Sequence, residues 1–122
     1  MIDITSVYKD AQHYIENCTS VATQPFSQTP LASVPVIALS VFSETYQSSI
    51  MHEEIAKITI KCLACSCNYI TDCGKTGILD MISLLDAAMI KRGYSRNGTP
   101  PYRDARNNWC AIITYSKHGN KF

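Results

Sequence analysis

The stretch EEIAKITIKCLACSC, residues 53–67, alternates between two kinds of side chain. One series of alternate positions is entirely apolar and comprises Ile58, Ile60, Cys62 and Ala64. The other series is mixed and comprises Thr59, Lys61, Leu63 and Cys65. Because successive side chains of a β-strand point to opposite faces of a sheet, this pattern predicts a strand with one buried face.

A second strand is predicted just before it. The run VPVIALSVFSETY, residues 34–46, is rich in β-branched and aromatic residues and ends in a polar segment. Since only a short polar connection separates the two runs, we expect them to pair as a long antiparallel hairpin. Its tip is predicted near residues 45–53.

An amphipathic helix is predicted at the start of the chain, over residues 3–18. Apolar side chains recur there every three or four positions, and Asp3 or Thr5 can cap the first turn. The following segment, residues 19–35, contains three prolines and many hydroxyl side chains. This composition is typical of an extended loop.

A second helix is predicted over residues 75–92, where apolar positions form a broad stripe. Gly93 stands where a glycine commonly ends a helix. At the other end, we interpret Gly74 and Thr76 as the strand-to-helix turn and the N-cap.

The chain closes with another strand, NWCAIITYSK at residues 108–117, after the polar loop SRNGTPPYRDARNN. In this strand Trp109, Ala111, Ile113 and Tyr115 are predicted to share a face. A short additional strand is possible around Tyr94. The element order is therefore α-β-β-α-β, and we expect a single α+β domain over residues 1–122, with two helices packed on an antiparallel sheet.

Composition bounds the class of protein. The 122 residues are 46% hydrophobic and 17% charged, as in an ordered globular domain. The longest apolar runs are too short to cross a bilayer, and the first residues lack the pattern of a signal peptide. We therefore expect a protein made in a reducing cytoplasm without membrane association, whose six cysteines are thiols.

The segment CLACSCNYITDCGKTG, residues 62–77, ends in Gly-Lys-Thr-Gly but does not fit a phosphate-binding loop. Such a loop needs a glycine five positions before the second glycine, and Tyr69 occupies that position here. Tyrosine cannot adopt the backbone conformations that the first glycine supplies. The spacing therefore disfavours nucleotide hydrolysis.

Cysteine spacing gives a weak indication of a metal site. Cys62 and Cys65 have the two-residue gap of a zinc half-site, but an alternating strand places them on opposite faces. Cys73 lies near the start of the second helix, where a thiol can be more reactive. We interpret the cysteines as apolar packing residues and predict no catalytic residue, metal or cofactor.

Charge is distributed unevenly along the chain. Residues 1–90 carry nine acidic and four basic side chains, whereas residues 91–122 carry one acidic and seven basic side chains. Two interpretations remain open. The basic segment is a solvated face, or it is a docking surface for nucleic acid or for the acidic face of another copy.

The order of elements resembles that of tail terminator and tail-completion proteins of long-tailed bacteriophages and phage-derived tail particles. In that family a helix ending in a glycine-aromatic pair precedes a variable loop with Asp or Arg, and a strand of the WxxxxxTY type follows. The likeness spans nearly the whole chain. The residues that carry it, besides PVIALSVF and the polar hairpin tip, are Gly93, Tyr94, Arg103, Asp104, Trp109, Thr114 and Tyr115.

The resemblance implies a structural role in virus assembly. A protomer of this family forms a homo-oligomeric ring, generally a hexamer, on the head-proximal end of the tail tube. The ring stops tube polymerisation and docks to the neck or connector protein, and DNA passes through its lumen without sequence-specific binding. The expected location is the tail–neck junction of the virion, after synthesis in the bacterial host cytoplasm.

The polar hairpin tip and the loop at residues 95–108 are the candidate contact regions, because long loops in compact domains are commonly functional. The candidate interface residues are Glu44, Tyr46, Glu53, Glu54, Arg96, Tyr102, Arg103, Asp104 and Arg106. The alternatives are exposed connectors with no partner, another neck or connector component, a small regulatory binding module, and a cysteine-based zinc-binding module or small enzyme.

Overall fold

A computed structural model describes residues 3–26, 34–47 and 54–119 of the chain. Within them the chain forms an α+β fold, as the sequence predicts. The elements are α1 (Ile4–Thr19), β1 (Ala22–Pro25), β2 (Val36–Gln47), β3 (Glu54–Ser66), α2 (Ile78–Ile90), β4 (Ser95–Gly98), β5 (Tyr102–Arg103) and β6 (Trp109–Gly119). No helix in these ranges is long and apolar enough to cross a membrane.

The sheet is organised around the predicted hairpin. β2 and β3 pair in antiparallel fashion over their whole length, from Val36 opposite Cys65 to Gln47 opposite Glu54. β6 pairs with the other edge of β3, also antiparallel, and the strand order is β1-β2-β3-β6-β4. β5 pairs with the first residues of β6. Residues 45–47, predicted to belong to the hairpin tip, are part of β2, and the rest of the predicted tip, residues 48–53, lies outside the described residues.

Both helices lie on one face of the sheet, where the apolar series of β3 is completely buried. The same core contains Ile37 and Leu39 of β2 and alternate residues of β6. Burying large aliphatic side chains contributes roughly 1.5–3 kcal/mol each, so this layer supplies most of the driving force for folding. The shared face predicted for β6 is confirmed by the burial of Ala111, Ile113 and Tyr115.

The helix ends match the sequence in part. Asp3 caps α1 by accepting hydrogen bonds from the N–H groups of Thr5 and Ser6. After α2, Gly93 has a φ of +88°, and its N–H donates to the carbonyl of Ile90 while the next N–H donates to that of Met89. This is the Schellman arrangement expected of a glycine at this place.

The start of α2 differs from the prediction. The helix begins at Ile78, and its N-cap is Gly77, which provides no side-chain cap. Thr76 lies one residue before the N-cap, and its carbonyl accepts a hydrogen bond from the Ser66 hydroxyl. Gly74 does lie in the connecting turn, with a φ of +79°.

Three short strands modify the predicted order. β1 lies in the segment predicted to be an extended loop, and it pairs parallel to β2, so the sheet is mixed and not wholly antiparallel. β4 corresponds to the possible strand near Tyr94, and β5 lies in the predicted polar loop. The sequences of these three strands are too short to show an alternation of apolar and polar residues. Their extended conformation results from pairing with β2 or β6.

The strands give the molecule two ends. The hairpin end comprises the last residues of β2, the first of β3 and the last of β6. The loop end comprises the last residues of β3, the first of β6 and residues 67–77 and 102–108. Thirteen residues of β3 separate the ends by about 40 Å.

Candidate interaction surfaces

A tight turn at residues 104–108 covers the loop end and is built around Asp104. One carboxylate oxygen, Oδ1, accepts hydrogen bonds from the N–H groups of Arg106 and Asn108 at 2.9 and 3.0 Å. The backbone bonds Asp104 N–H to the Asn108 carbonyl and Asn107 N–H to the Asp104 carbonyl. The bond from Asn108 is the main reason why the pKa of Asp104 is lowered. Asp104 therefore shapes this turn.

Beside this turn, aromatic, aliphatic and guanidinium groups form an exposed surface. The rings of Tyr69 and Trp109 lie 4.6 Å apart, and the Arg103 guanidinium lies 4.7 Å from the centre of the Trp109 ring. Arg103 is held there by donating to Asn107 Oδ1 at 2.6 Å. The adjacent Ile70 is 68% exposed. We call this set, Tyr69, Ile70, Arg103 and Trp109, the loop-end surface.

Two cysteines lie on the opposite face of the sheet at the same end. Cys65 and Cys110 are direct partners in β3 and β6, their Sγ atoms are 3.1 Å apart, and each residue is only 2% exposed. The Cys110 thiol also lies 3.6 Å from Asp104 Oδ2. Burial raises the pKa of both thiols. We call these two residues the thiol pair, and Tyr102 opposes Cys110 from β5.

A cavity of about 640 Å³ opens on the helix side, lined by α1, the segment after α2, and β6. The Arg92 guanidinium lies 3.8 Å from the centre of the Tyr14 ring. Lys117 Nζ donates to the Arg92 carbonyl at 2.9 Å and lies 5.7 Å from the Tyr94 ring. The positively charged groups of Arg92 and Lys117 therefore each lie near an aromatic ring. The attraction between cation and ring restricts the movement of both side chains.

The described part of the basic C-terminal segment, residues 91–119, does not form one continuous face. Arg92 and Lys117 line the helix-side cavity, whereas Arg103 and Arg106 are exposed at the loop end. Arg96 Nε pairs with Asp86 at 2.9 Å and so connects β4 to α2. One of the two interpretations was that the basic segment is a docking surface. The distance between these basic residues does not favour a single docking surface that contains all of them.

The predicted contact residues thus fall into three groups. Arg103, Arg106 and Tyr102 are exposed at the loop end, and Asp104 supports them from a half-buried position. Arg96 is engaged within the protomer. Glu44 is exposed near the hairpin end, where it faces Lys57 of β3. Tyr46 and Glu54 belong to β2 and β3, but their side chains, like residue Glu53, lie outside the described part.

Sequence reasoning missed Tyr69, Ile70 and Trp109 as surface residues. Trp109 was assigned only to the buried face of its strand, and it is half-buried with its ring against Tyr69. The available signal was the pair of apolar residues Tyr69-Ile70 within an otherwise polar turn. Apolar residues in a turn that has no helical or strand periodicity have no predicted partner within the domain.

The cysteine spacing does not produce a metal site in the described residues. Cys62 lies in the main core and Cys65 in the thiol pair, so the two face opposite sides of β3, as predicted. Across residues 3–26, 34–47 and 54–119, no three His, Cys, Asp or Glu side chains are placed to hold an ion.

Comparison with known families finds no family model that matches the chain, and comparison with curated protein sequences finds no match.

Proposed function

We propose that this chain is a tail terminator or tail-completion protein of a long-tailed bacteriophage or phage-tail-like particle. In this role it forms a ring at the head-proximal end of the tail tube, stops tube polymerisation and docks to the neck or connector. Support comes from the resemblance of the sequence to that family and from the α+β fold, in which two helices cover one face of a sheet.

The loop-end surface is the observation that carries the proposal. Tyr69 is 41% exposed and Ile70 is 68% exposed, beside the Arg103–Trp109 stack. Tyrosine, tryptophan and arginine are the residues most enriched among interface hot spots. The turn around Asp104 joins Arg103 to Trp109 and fixes its own backbone through two hydrogen bonds to the Asp104 carboxylate, so these two residues would lose little conformational entropy on contact. A surface of this kind favours a role in assembly.

The difference between the two ends favours a head-to-tail contact. The loop end presents Arg103 and Arg106, whereas the hairpin end has Glu44 as an exposed carboxylate near its border, beside Lys57 and His118 of the neighbouring strands. A contact between two unlike surfaces can repeat from one protomer to the next. The assembly closes into a ring when the rotation that relates neighbouring protomers is a whole fraction of a full turn. Attraction between these charges would orient approaching protomers before apolar contact forms.

Charge reversal tests the proposal. We expect the double variant Arg103→Glu/Arg106→Glu to lose ring formation, or ring capture by purified tail tubes. Its circular dichroism should stay that of the folded parent, and its melting temperature should fall only by a few degrees, because the contacts of Arg103 with Trp109 and Asn107 are lost. Native mass spectrometry and negative-stain electron microscopy measure the assembly. The matched control is Lys91→Glu, which reverses an exposed charge after α2, away from the loop end.

Assembly unchanged by the double variant would contradict the assignment of the interface. A protein that remains monomeric in the presence of tail tubes, and leaves tube length unregulated, would contradict the function itself. Binding to isolated connectors but not to tubes would favour the alternative, another neck component of the same particle.

A further inference from the structure

The thiol pair is placed as the two halves of a disulfide. Cys65 and Cys110 are direct Cα partners in neighbouring antiparallel strands. Such partners have Cα atoms about 4.5–5.5 Å apart, within the range that a disulfide spans. The two sulfur atoms are already in contact at 3.1 Å, with one thiol donating to the other. An approach of about 1 Å brings them to bonding distance.

The other cysteines have different surroundings. Cys62 is buried in the main core on the opposite face of β3, where the helices cover it. Cys18, Cys67 and Cys73 are exposed on the surface. Among the described residues, the contact between Cys65 and Cys110 is the one that joins two sulfurs. Its chemistry is therefore distinct from simple packing of small apolar side chains, which is how the sequence pattern was interpreted.

We propose that Cys65 and Cys110 are a site of reversible covalent modification, forming an intramolecular disulfide when the protein meets a disulfide oxidant such as oxidised glutathione. Local opening of the turn above the pair would expose one thiol, which loses its proton to solvent, and the resulting thiolate attacks one sulfur of the oxidant and displaces one glutathione thiolate. The second Cys thiolate then attacks the mixed disulfide and displaces the glutathione attached to it. The two cysteines lose two protons and two electrons, and one oxidised glutathione becomes two reduced molecules.

The bond would change both the sheet and the turn above it. It would join β3 to β6 and close a long loop of chain that contains α2, β4 and β5, which restricts the unfolded state. It would also remove the Cys110 S–H group that faces Asp104 Oδ2 at 3.6 Å. The carboxylate that shapes the 104–108 turn would then keep only its backbone donors. This inference is independent of the proposed function.

The test uses the full chain with its exposed thiols removed, the variant Cys18→Ser/Cys67→Ser/Cys73→Ser. It is equilibrated in glutathione buffers of increasing oxidised fraction, quenched in acid, alkylated under denaturing conditions and mapped by mass spectrometry. We expect a loss of two hydrogens, a single cross-link between the peptides carrying Cys65 and Cys110, and alkylation of Cys62. The melting temperature should rise by several degrees on oxidation.

Adding Cys110→Ala to this variant should abolish the cross-link, whereas adding Cys62→Ala should leave it in place. If either addition prevents folding, the parent triple variant still decides the question through its peptide map. The inference is overturned if the parent stays fully reduced in the most oxidising buffer, if glutathione remains attached as a mixed disulfide, or if the cross-link involves Cys62.

Discussion

Two tyrosines show how much depends on the partner of one hydroxyl group. Tyr115 is completely buried, and its hydroxyl donates to Asp86 Oδ1 at 2.6 Å. The same oxygen accepts from Arg96 Nε, so the three residues join β6, α2 and β4. The hydroxyl of Tyr8, on α1, is also buried but has no hydrogen-bond partner among the described residues. A buried polar group without a hydrogen-bond partner lowers the stability of the folded protein, whereas a buried polar group that has a partner raises it.

Removing each hydroxyl should therefore have opposite effects. We expect Tyr115→Phe to lower the free energy of unfolding by about 1.5–3 kcal/mol, because a hydrogen bond to a charged group is lost. Tyr8→Phe is the matched control and should be neutral or slightly stabilising. Urea unfolding followed by circular dichroism measures both. A larger loss for Tyr8→Phe than for Tyr115→Phe would contradict the stabilising role assigned to the hydrogen bond between Tyr115 and Asp86.

Asp104 should make the stability of the protein depend on pH. Its folded-state pKa lies below the unfolded value, chiefly because its carboxylate accepts a hydrogen bond from Asn108. The stabilisation is therefore present above the unfolded pKa, near pH 4, and is lost as the pH falls through the folded pKa. We expect Asp104→Asn to be less stable than the parent at neutral pH, with the difference shrinking between about pH 4 and pH 2.

Urea unfolding of both proteins across this range gives the measurement. Asp3 has a pKa lowered by its hydrogen bonds to Ser6 and remains in both proteins, so the acid loss that it causes cancels in the comparison. A difference between parent and variant that stays constant down to about pH 2 would contradict the role assigned to the Asp104 carboxylate.

At the scale of elements, the connection between β3 and α2 is set by close packing. Gly77 is buried at the N-cap of α2, and its N–H donates to the Thr71 hydroxyl at 3.0 Å. A Cβ atom there would lie 2.3 Å from the Ile70 carbonyl carbon. Its φ of −81° is open to any residue, so the requirement for glycine is steric. Gly74 differs, because its φ is +79° and a Cβ atom added to it would meet nothing within 4 Å beyond its chain neighbours.

The two glycines give a matched pair of substitutions. We expect Gly77→Ala to lower the free energy of unfolding by about 3 kcal/mol or more, since backbone must move to admit the methyl group. Gly74→Ala should cost only about 1–2 kcal/mol, the strain of a left-handed conformation. Thermal and urea unfolding compare them. An equal decrease in the free energy of unfolding for both variants would contradict the steric requirement for glycine at position 77.

The hairpin strands and both helices could be predicted because their periodicity reflects burial. The alternation around Cys62 in β3 and the stripe of α2 follow directly from the face that each element buries. β1 and β5 could not be predicted, because backbone pairing with a neighbouring strand fixes them. The same limit applies to the site: Arg103 was evident as a polar loop residue, but its stacking on Trp109 depends on a register between β5 and β6.

At the scale of the whole molecule, the two ends of the sheet differ in chemistry and lie about 40 Å apart along β3. A protomer with two unlike contact surfaces can form one contact through each. If the ring uses both, then disabling one end leaves the other able to bind. This separates a head-to-tail ring from a symmetric dimer, in which the same surface is used by both partners.

Mixing variants tests this directly. One protein carries Arg103→Glu/Arg106→Glu at the loop end, and the other carries Glu44→Lys at the hairpin end. Under conditions in which the parent forms rings, we expect each variant alone to remain monomeric, because every contact would contain one altered surface. An equal mixture should form mixed rings, since an intact loop end meets an intact hairpin end at one contact, and the reversed charges of the two altered ends are again opposite at the next.

Native mass spectrometry distinguishes the species when one variant is isotopically labelled. Lys91→Glu is the control for charge reversal and should enter rings with the parent in any ratio. Rings formed by either variant alone, or an equal mixture that yields only monomers, would contradict a contact between the loop end and the hairpin end. Homodimers that form through an unaltered loop end would instead indicate an isologous contact, in which Tyr69 and Trp109 of two copies pack against each other.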